Sequence, residues 1–263
     1  MEKRKLLIVL LLLCVSIMLI SGYRVFKQMR EYELGDRSYE NMKMYANHDA
    51  EPETETTPQD GADPPVSKET EKIELVPAVD FTALQAVYPS VVAWVNIEGT
   101  GIDYPVVQAG DNDYFLKRLP DGTWNSSGSI FMDYRNSADL LDWHTIIYGH
   151  NMRNNAMFAE LMSYKDQAFY DEHPVIMLHT PAGSYLVEIF AGYVCTEASD
   201  AWKMDFTGTE DFIQWCESVI GRSCFESGVA PERHDSVVTL STCSYEFDEA
   251  RFVVHGILRE NTE

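Results

Sequence analysis

Ser236-Val237-Val238-Thr239-Leu240-Ser241-Thr242-Cys243 and, eight residues beyond the cysteine, Arg251-Phe252-Val253-Val254-His255-Gly256-Ile257-Leu258 are the stretch that decides the fold. Ser236 to Leu240 and Phe252 to Leu258 are apolar and rich in β-branched residues, the composition of buried strands. The first strand runs into a thiol, and the second begins at a guanidinium. A strand-to-strand connection can bring Cys243 and Arg251 to one edge of a sheet. The result is a nucleophile beside a fixed positive charge, the pairing that acyl transfer uses.

Upstream, strand patterns dominate. Val91 to Ile97 alternates around Trp94, Gly99-Thr100-Gly101 is a turn, and Ile102 to Gln108 is a second strand. Gly128 to Asp133 and Thr145 to Tyr148 read as the third and fourth. Val175 to His179 and Tyr185 to Val194 flank Pro181-Ala182-Gly183, a hairpin signal. Helical periods occur in three places. Asp80 caps a short helix stopped by Pro89, Asn155 to Tyr164 places Met157, Phe158, Leu161 and Met162 together, and Thr209 to Ile220 aligns Phe212, Ile213, Cys216 and Ile220. About eight strands with inserted helices predict a mainly β fold, a closed β-barrel.

The N-terminus reads Lys3-Arg4-Lys5 and then Leu6 to Ile20 with Ser16 as its one polar residue. Extended to Gly22, the run is at the short end of what spans a bilayer. A cleaved signal peptide is the rival reading, but the A-x-A pattern is missing, and Tyr23, Arg24, Phe26 and Lys27 suit an interfacial anchor. Residues 1–30 are therefore read as a cytoplasmic tip and transmembrane signal-anchor. Cations flank the run on both sides. The long acidic segment that follows decides the orientation: N-terminus inside, residues 31–263 outside the cell membrane. Residues 1–30 carry net +5 against −22 for the whole chain, so residues 31–263 carry −27. That excludes nucleic acid as an expected partner, because phosphate binding needs a basic surface. Residues 31–79 are read as an acidic spacer. Within them, residues 31–50 are polar with Met and Tyr, a candidate helix near the membrane, whereas from Asp49 to Lys72 Pro52, Pro58, Pro64 and Pro65 forbid regular structure and the composition is that of a disordered segment holding the folded part off the membrane. Residues 80–263 form the folded domain.

Of the cysteines, Cys14 lies in the apolar run, and Cys195, Cys216, Cys224 and Cys243 lie outside it. Cys216 and Cys224 can be a disulfide or two free thiols. No C-x-x-C and no His at ligand spacing to a Cys pair points to zinc. A cysteine nucleophile usually needs an imidazole. Among seven histidines, His150 ranks first: it follows the fourth strand in Tyr148-Gly149-His150-Asn151, where Gly149 breaks the strand and lets a side chain turn out. His255 reads as a core residue and His173 as a loop cap. Arg251 has a second reading, as a surface cation pairing with Glu246, Asp248 or Glu249. Cys243 has one too, as a buried thiol in a membrane-tethered binding module.

Thr239-Leu240-Ser241-Thr242-Cys243, the arginine eight residues on, and Tyr148-Gly149-His150-Asn151 together resemble the sortase family. The resemblance covers residues 80–263. It implies an eight-stranded barrel. For class B it also implies a helix before the first strand and one between strands 6 and 7, matching Thr209 to Ile220. It implies His150, Cys243 and Arg251 as catalytic residues. Asn112, Leu116 and Ser241 resemble class B substrate contacts, and Thr242 is grouped with them. No metal and no cofactor is implied. The activity implied is transpeptidation: cleavage after Thr in a C-terminal sorting motif of the Pro-x-Thr type and transfer to an amine. The partners would be exported proteins bearing that signal and a peptidoglycan precursor. A pilin lysine is the alternative acceptor.

Overall fold

The computed structural model describes residues 2–46 and 79–260. Eight strands are present: β1 (Val91–Asn96), β2 (Asp103–Val107), β3 (Ile130–Met132), β4 (His144–Tyr148), β5 (Val175–Thr180), β6 (Gly183–Thr196), β7 (Val237–Cys243) and β8 (Ala250–Glu260). They close into a barrel in the order β1-β2-β3-β4-β7-β8-β6-β5, which leaves no unpaired sheet edge. The expected eight-stranded barrel is the observed fold. Its topology goes beyond what alternation reveals, because β2 runs parallel to β3 and β4 parallel to β7. Parallel neighbours need a long return path. The connection through residues 108–129 supplies the first, and it forms one wall of the site described below.

The barrel interior is filled from alternate positions of the strands, with Trp94, Ile130, Ile147, Val187, Leu240 and Phe252 all buried. The N-terminal helix of the domain, α2 (Phe81–Val87), is capped as expected, the Asp80 carboxylate accepting the Ala83 N–H at 2.9 Å. Helix α4 (Thr209–Ile220) lies between strands 6 and 7 and buries Phe212, Trp215, Cys216 and Val219. With Tyr193, Val253 and Ile257 these form a second apolar cluster on the outside of β6 and β8. Each large side chain so buried stabilises the fold by about 1.5–3 kcal/mol.

The segment Asn155 to Tyr164 departs from expectation. Asn155 and Met157 adopt left-handed φ values of 63° and 60°, so no α-helix starts there. A 3-10 turn (Ala159–Lys165) and then the short α3 (Gln167–Glu172), capped by Asp166, take its place. The apolar period at Met157, Phe158 and Leu161 reports burial, not helix. All five cysteines are free; Cys216 is buried and Cys224 exposed, so they do not pair.

The candidate helix within residues 31–50 is present as far as Lys43. Helix α1 (Glu2–Lys43) continues without a break from the apolar run onto the barrel. Its contacts recur every fourth residue, which is one helical stripe. The Glu31 carbonyl accepts from Asn125 Nδ2 at 2.8 Å, Gly35 lies against Asn125 and Ser127, Tyr39 donates to the Gly128 carbonyl at 2.6 Å, and Lys43 pairs with Asp103 at 3.6 Å. Ala46 then bridges Val79, and the Asp80 N–H donates to the Tyr45 carbonyl at 2.8 Å. The acidic, proline-rich segment read as a spacer lies outside the described residues, but its two ends are joined. Between the apolar run and the barrel the chain is one continuous helix.

Candidate active site

Cys243 ends β7 and Arg251 begins β8, and the two are direct partners across the ladder. Opposed residues of a pair project to the same face, so thiol and guanidinium share one side of the barrel rim. On the far side of β7 lies β4, with Tyr148 opposite Ser241. The chain leaves β4 at Gly149 and is fastened to the end of β7. Gly149 N–H donates to the Ser241 carbonyl at 3.0 Å, Thr242 Oγ1 donates to the Gly149 carbonyl at 2.8 Å, and Asn151 Nδ2 donates to the Cys243 carbonyl at 2.9 Å. His150 is carried between these fastenings. Glycine is required at 149 because a Cβ there would stand 2.4 Å from Ile130 Cδ1 and 2.6 Å from Phe158 Cδ2.

The imidazole is held from the other side by the 108–129 connection. His150 Nε2 lies 2.7 Å from the Leu116 carbonyl oxygen. A carbonyl only accepts, so Nε2 carries a proton and Nδ1 is the nitrogen left to exchange one. Gly128, at φ 58°, lets that carbonyl approach: a Cβ there would lie 2.5 Å from the Leu116 oxygen.

Cys243, His150 and Arg251 line one groove of about 300 Å³, together with Asn112, Leu116, Ser241 and Thr242. All seven residues singled out in the sequence thus border one space. Their side chains are not equally available. Ser241 and Thr242 are almost wholly buried. Asn112 is engaged at both ends of its amide, Nδ2 donating to Asp133 Oδ2 and Oδ1 accepting the Tyr134 N–H, each at 3.0 Å.

Asp133 escaped the sequence reading. It is buried beneath the groove, gripped by Arg135 Nε and Nη2 at 2.8 Å each and by the Tyr148 hydroxyl at 3.0 Å. Burial alone would raise its carboxyl, but hydrogen bonds from the side chain and backbone of Arg135 and from Asn112 hold it at about 2. Burial, and then the Asp133 charge, push the Tyr148 phenol upward. A charged residue closing the apolar run Ile130-Phe131-Met132 was the available signal. Arg251 pairs with Glu197 at 3.1 Å, not with Glu246, Asp248 or Glu249. It stands between the groove and a second hollow of about 460 Å³ lined by Glu197, Asp200, Trp202 and Lys203.

His144 and His255 belong elsewhere, in a buried relay beneath α4. His144 Nδ1 lies 2.7 Å from the Lys203 carbonyl, His144 Nε2 lies 2.6 Å from Thr239 Oγ1, and that oxygen lies 2.6 Å from His255 Nδ1. The carbonyl fixes the proton on His144 Nδ1, the hydroxyl donates to Nε2, and His255 Nδ1–H donates to the hydroxyl. His255 Nε2 is left buried without a partner. Burial lowers both rings, His144 to about 4. Neither histidine lines the groove. Among the described residues, no group of three or more His, Cys, Asp or Glu is placed to hold a metal ion.

A barrel of this topology, with thiol, imidazole and guanidinium on one rim groove, can be compared with known proteins. The Sortase domain family model matches residues 95–259. Sortase B of Listeria monocytogenes is 40% identical over 177 residues, covering 66% of this chain and 72% of the relative. Sortase B of Staphylococcus aureus is 28% identical over 249 residues, covering 95% and 94%. The solved sortase B of B. anthracis in complex with AAEK1 superposes with a TM-score of 0.71 at 28% identity, covering 89% of this chain and 100% of that one. A Staphylococcus aureus sortase B–substrate complex gives 0.66 at 32%, covering 69% and 85%. A sortase B complexed with triglycine also gives 0.66 at 32%, covering 69% and 86%. The chain belongs to the sortase family. Within that family it is a class B transpeptidase.

Proposed function

We propose that this sortase is a membrane-anchored cysteine transpeptidase that cleaves a C-terminal Pro-x-Thr-type sorting motif after Thr and transfers the acyl group to a cell-wall amine. The observation that carries this reading is the Cys243–Arg251 ladder pair, facing the groove into which Leu116 aims His150. The thiol proton passes to His150 Nδ1 as Sγ attacks the Thr carbonyl carbon. Arg251 stabilises the oxyanion that forms, its guanidinium steadied by Glu197 and the Ala250 carbonyl. Collapse breaks the peptide bond, and Nδ1–H protonates the departing amine. The Leu116 carbonyl accepts from Nε2–H in both protonation states and binds the charged ring more strongly, favouring the imidazolium between these steps. An incoming amine, deprotonated by Nδ1, then attacks the thioester and releases Sγ.

The triglycine complex of a sortase B supports a peptide amine as acceptor. A peptidoglycan precursor fits that chemistry, and a pilin lysine is the alternative. Asn112, Leu116, Ser241 and Thr242 are proposed to border the bound motif. For Asn112, Ser241 and Thr242 this border is in large part made by groups already fixed within the protein. The helix from Glu2 to Lys43 contains a stretch long and apolar enough to cross a membrane, which supports a single-pass anchor with the barrel outside the cell.

The test is Cys243→Ala, assayed against a fluorogenic Pro-x-Thr peptide library, with the acyl-enzyme sought by mass spectrometry. Loss of cleavage and of the thioester adduct is expected, with the fold retained. Full cleavage by the variant would end the proposal. A Cys243 that ignores a methanethiosulfonate reagent in the folded protein would favour the binding-module reading instead.

A further inference from the structure

We infer that the tip of the 108–129 connection, centred on Trp124, is a second membrane contact that seats in the lipid headgroup layer beside α1. The inference rests on the anchor reading of α1. The apolar run ends at Gly22, and Lys27 lies five residues on, about 7–8 Å along the helix. The headgroup layer on each face of a bilayer is of similar depth, roughly 5–8 Å. At that level Lys27 Nζ sits over the Trp124 ring, 5.8 Å from its centroid. Of the described contacts in the α1 stripe, this one lies nearest the apolar run; the next, at Glu31, Gly35 and Tyr39, climb away from it.

The tip has the chemistry of an interfacial surface. Arg118 and Trp124 bridge as a narrow hairpin, with Gly122 turning at φ 83°. Trp124 is 52% exposed and Tyr114 45%, and Arg118 covers the Tyr114 ring at 4.7 Å. Two exposed aromatics with Lys27, Lys117 and Arg118 around them, on a domain that is otherwise strongly acidic, are what a headgroup layer accepts: amphipathic rings and cations. Asp121 at the turn and the exposed Asp111 and Asp113 beside Tyr114 oppose anionic lipid, so the Trp124 ring, not net charge, drives the contact. The hairpin is also held to α1 independently of lipid, since Ser126 Oγ donates to Glu31 Oε2 at 2.8 Å. The same connection carries Leu116, whose carbonyl holds His150. Two points of attachment would prevent the barrel from pivoting about α1, so the groove would keep one orientation to the lipid surface.

The chain has five tryptophans, none of them within residues 1–46, and Trp94 and Trp215 are buried. Full-length protein is reconstituted into phosphatidylcholine–phosphatidylglycerol vesicles, with or without acyl chains brominated near the headgroup, and flotation is scored alongside tryptophan emission. The expected result is that the protein floats, bromination quenches part of the emission, and Trp124→Phe removes that quenchable part. A protein that floats but shows no quenching, or the same quenching after Trp124→Phe, overturns the lipid contact and leaves the anchor standing. Failure to float overturns the anchor and the contact together.

Discussion

Acidification should destabilise this barrel through its buried histidines before the Asp133 carboxylate matters. His144 in the folded domain sits at about 4, below the ordinary value of 6.5, because burial disfavours its charged form. The unfolded chain therefore binds a proton that the folded chain refuses. The stability contributed is present above about pH 6.5 and is lost as pH falls toward 4. For one group shifted over that interval, moving from pH 7 to 4.5 removes about 2.4 kcal/mol. His255, also depressed by burial and by the neighbouring His144, adds to the loss in the same direction. Against a total stability of roughly 5–15 kcal/mol this is a large fraction, and it lowers Tm by about 5–10 °C for a domain of this size. The assay is urea and thermal unfolding of residues 23–263 at a series of pH values. His144→Asn, which cannot take up a proton, should be less stable at pH 7 and should lose less on acidification. A wild-type stability that stays flat between pH 7 and 4.5, or a variant with the wild-type slope, would refute the argument. Asp133, held at about 2, acts only below pH 4 and does not confuse the window.

Two further outcomes follow from the groove. Gly128→Ala puts a Cβ 2.5 Å from the Leu116 oxygen at a left-handed φ of 58°, so it should cost about 1–3 kcal/mol in unfolding and lower kcat more than it raises KM, since His150 loses its fixed partner. Wild-type kcat in a folded variant would show that the Leu116 carbonyl does not orient the imidazole. Arg251→Lys should lower kcat about a hundredfold, because an ammonium lacks the planar fork that meets Glu197 and an oxyanion together. Turnover near wild type in the peptide assay would reduce Arg251 to a surface cation.

How much of this was legible depended on which distances decide it. The strands, the α4 helix and the shared edge of Cys243 and Arg251 follow from local patterns, since strand period and loop chemistry are written in neighbouring residues, whereas His150 joined them only through the family resemblance. Asn151 lay in the motif that marked His150, yet its role, holding the Cys243 carbonyl, exists only once β4 and β7 lie side by side. Asp133 and Glu197 were missed for the same reason: their partners are Tyr148 and Asn112, and Arg251, far along the chain. The stripe on α1 was obscured because Glu31, Gly35 and Tyr39 are mixed polar and apolar, and their common face meets hydrogen-bonding groups as well as apolar core. The apolar period at Met157 misled because burial by a turn and burial by a helix look alike over a few residues.

Ala46 and Val79 meet, and this bears on how the chain can vary. Closing a loop grows costlier only with the logarithm of its length, about 0.6 kcal/mol per doubling. The stretch between those residues is therefore free to gain or lose sequence while the catalytic rim stays where it is. The helix has no such freedom: one residue inserted between Tyr23 and Lys27 would shift the barrel by about 1.5 Å along the helix and swing it by about 100°, and one inserted between Lys27 and Lys43 would split the contact stripe. Tolerance to insertion and deletion should fall off abruptly at Ala46, with drift permitted on one side and purged on the other.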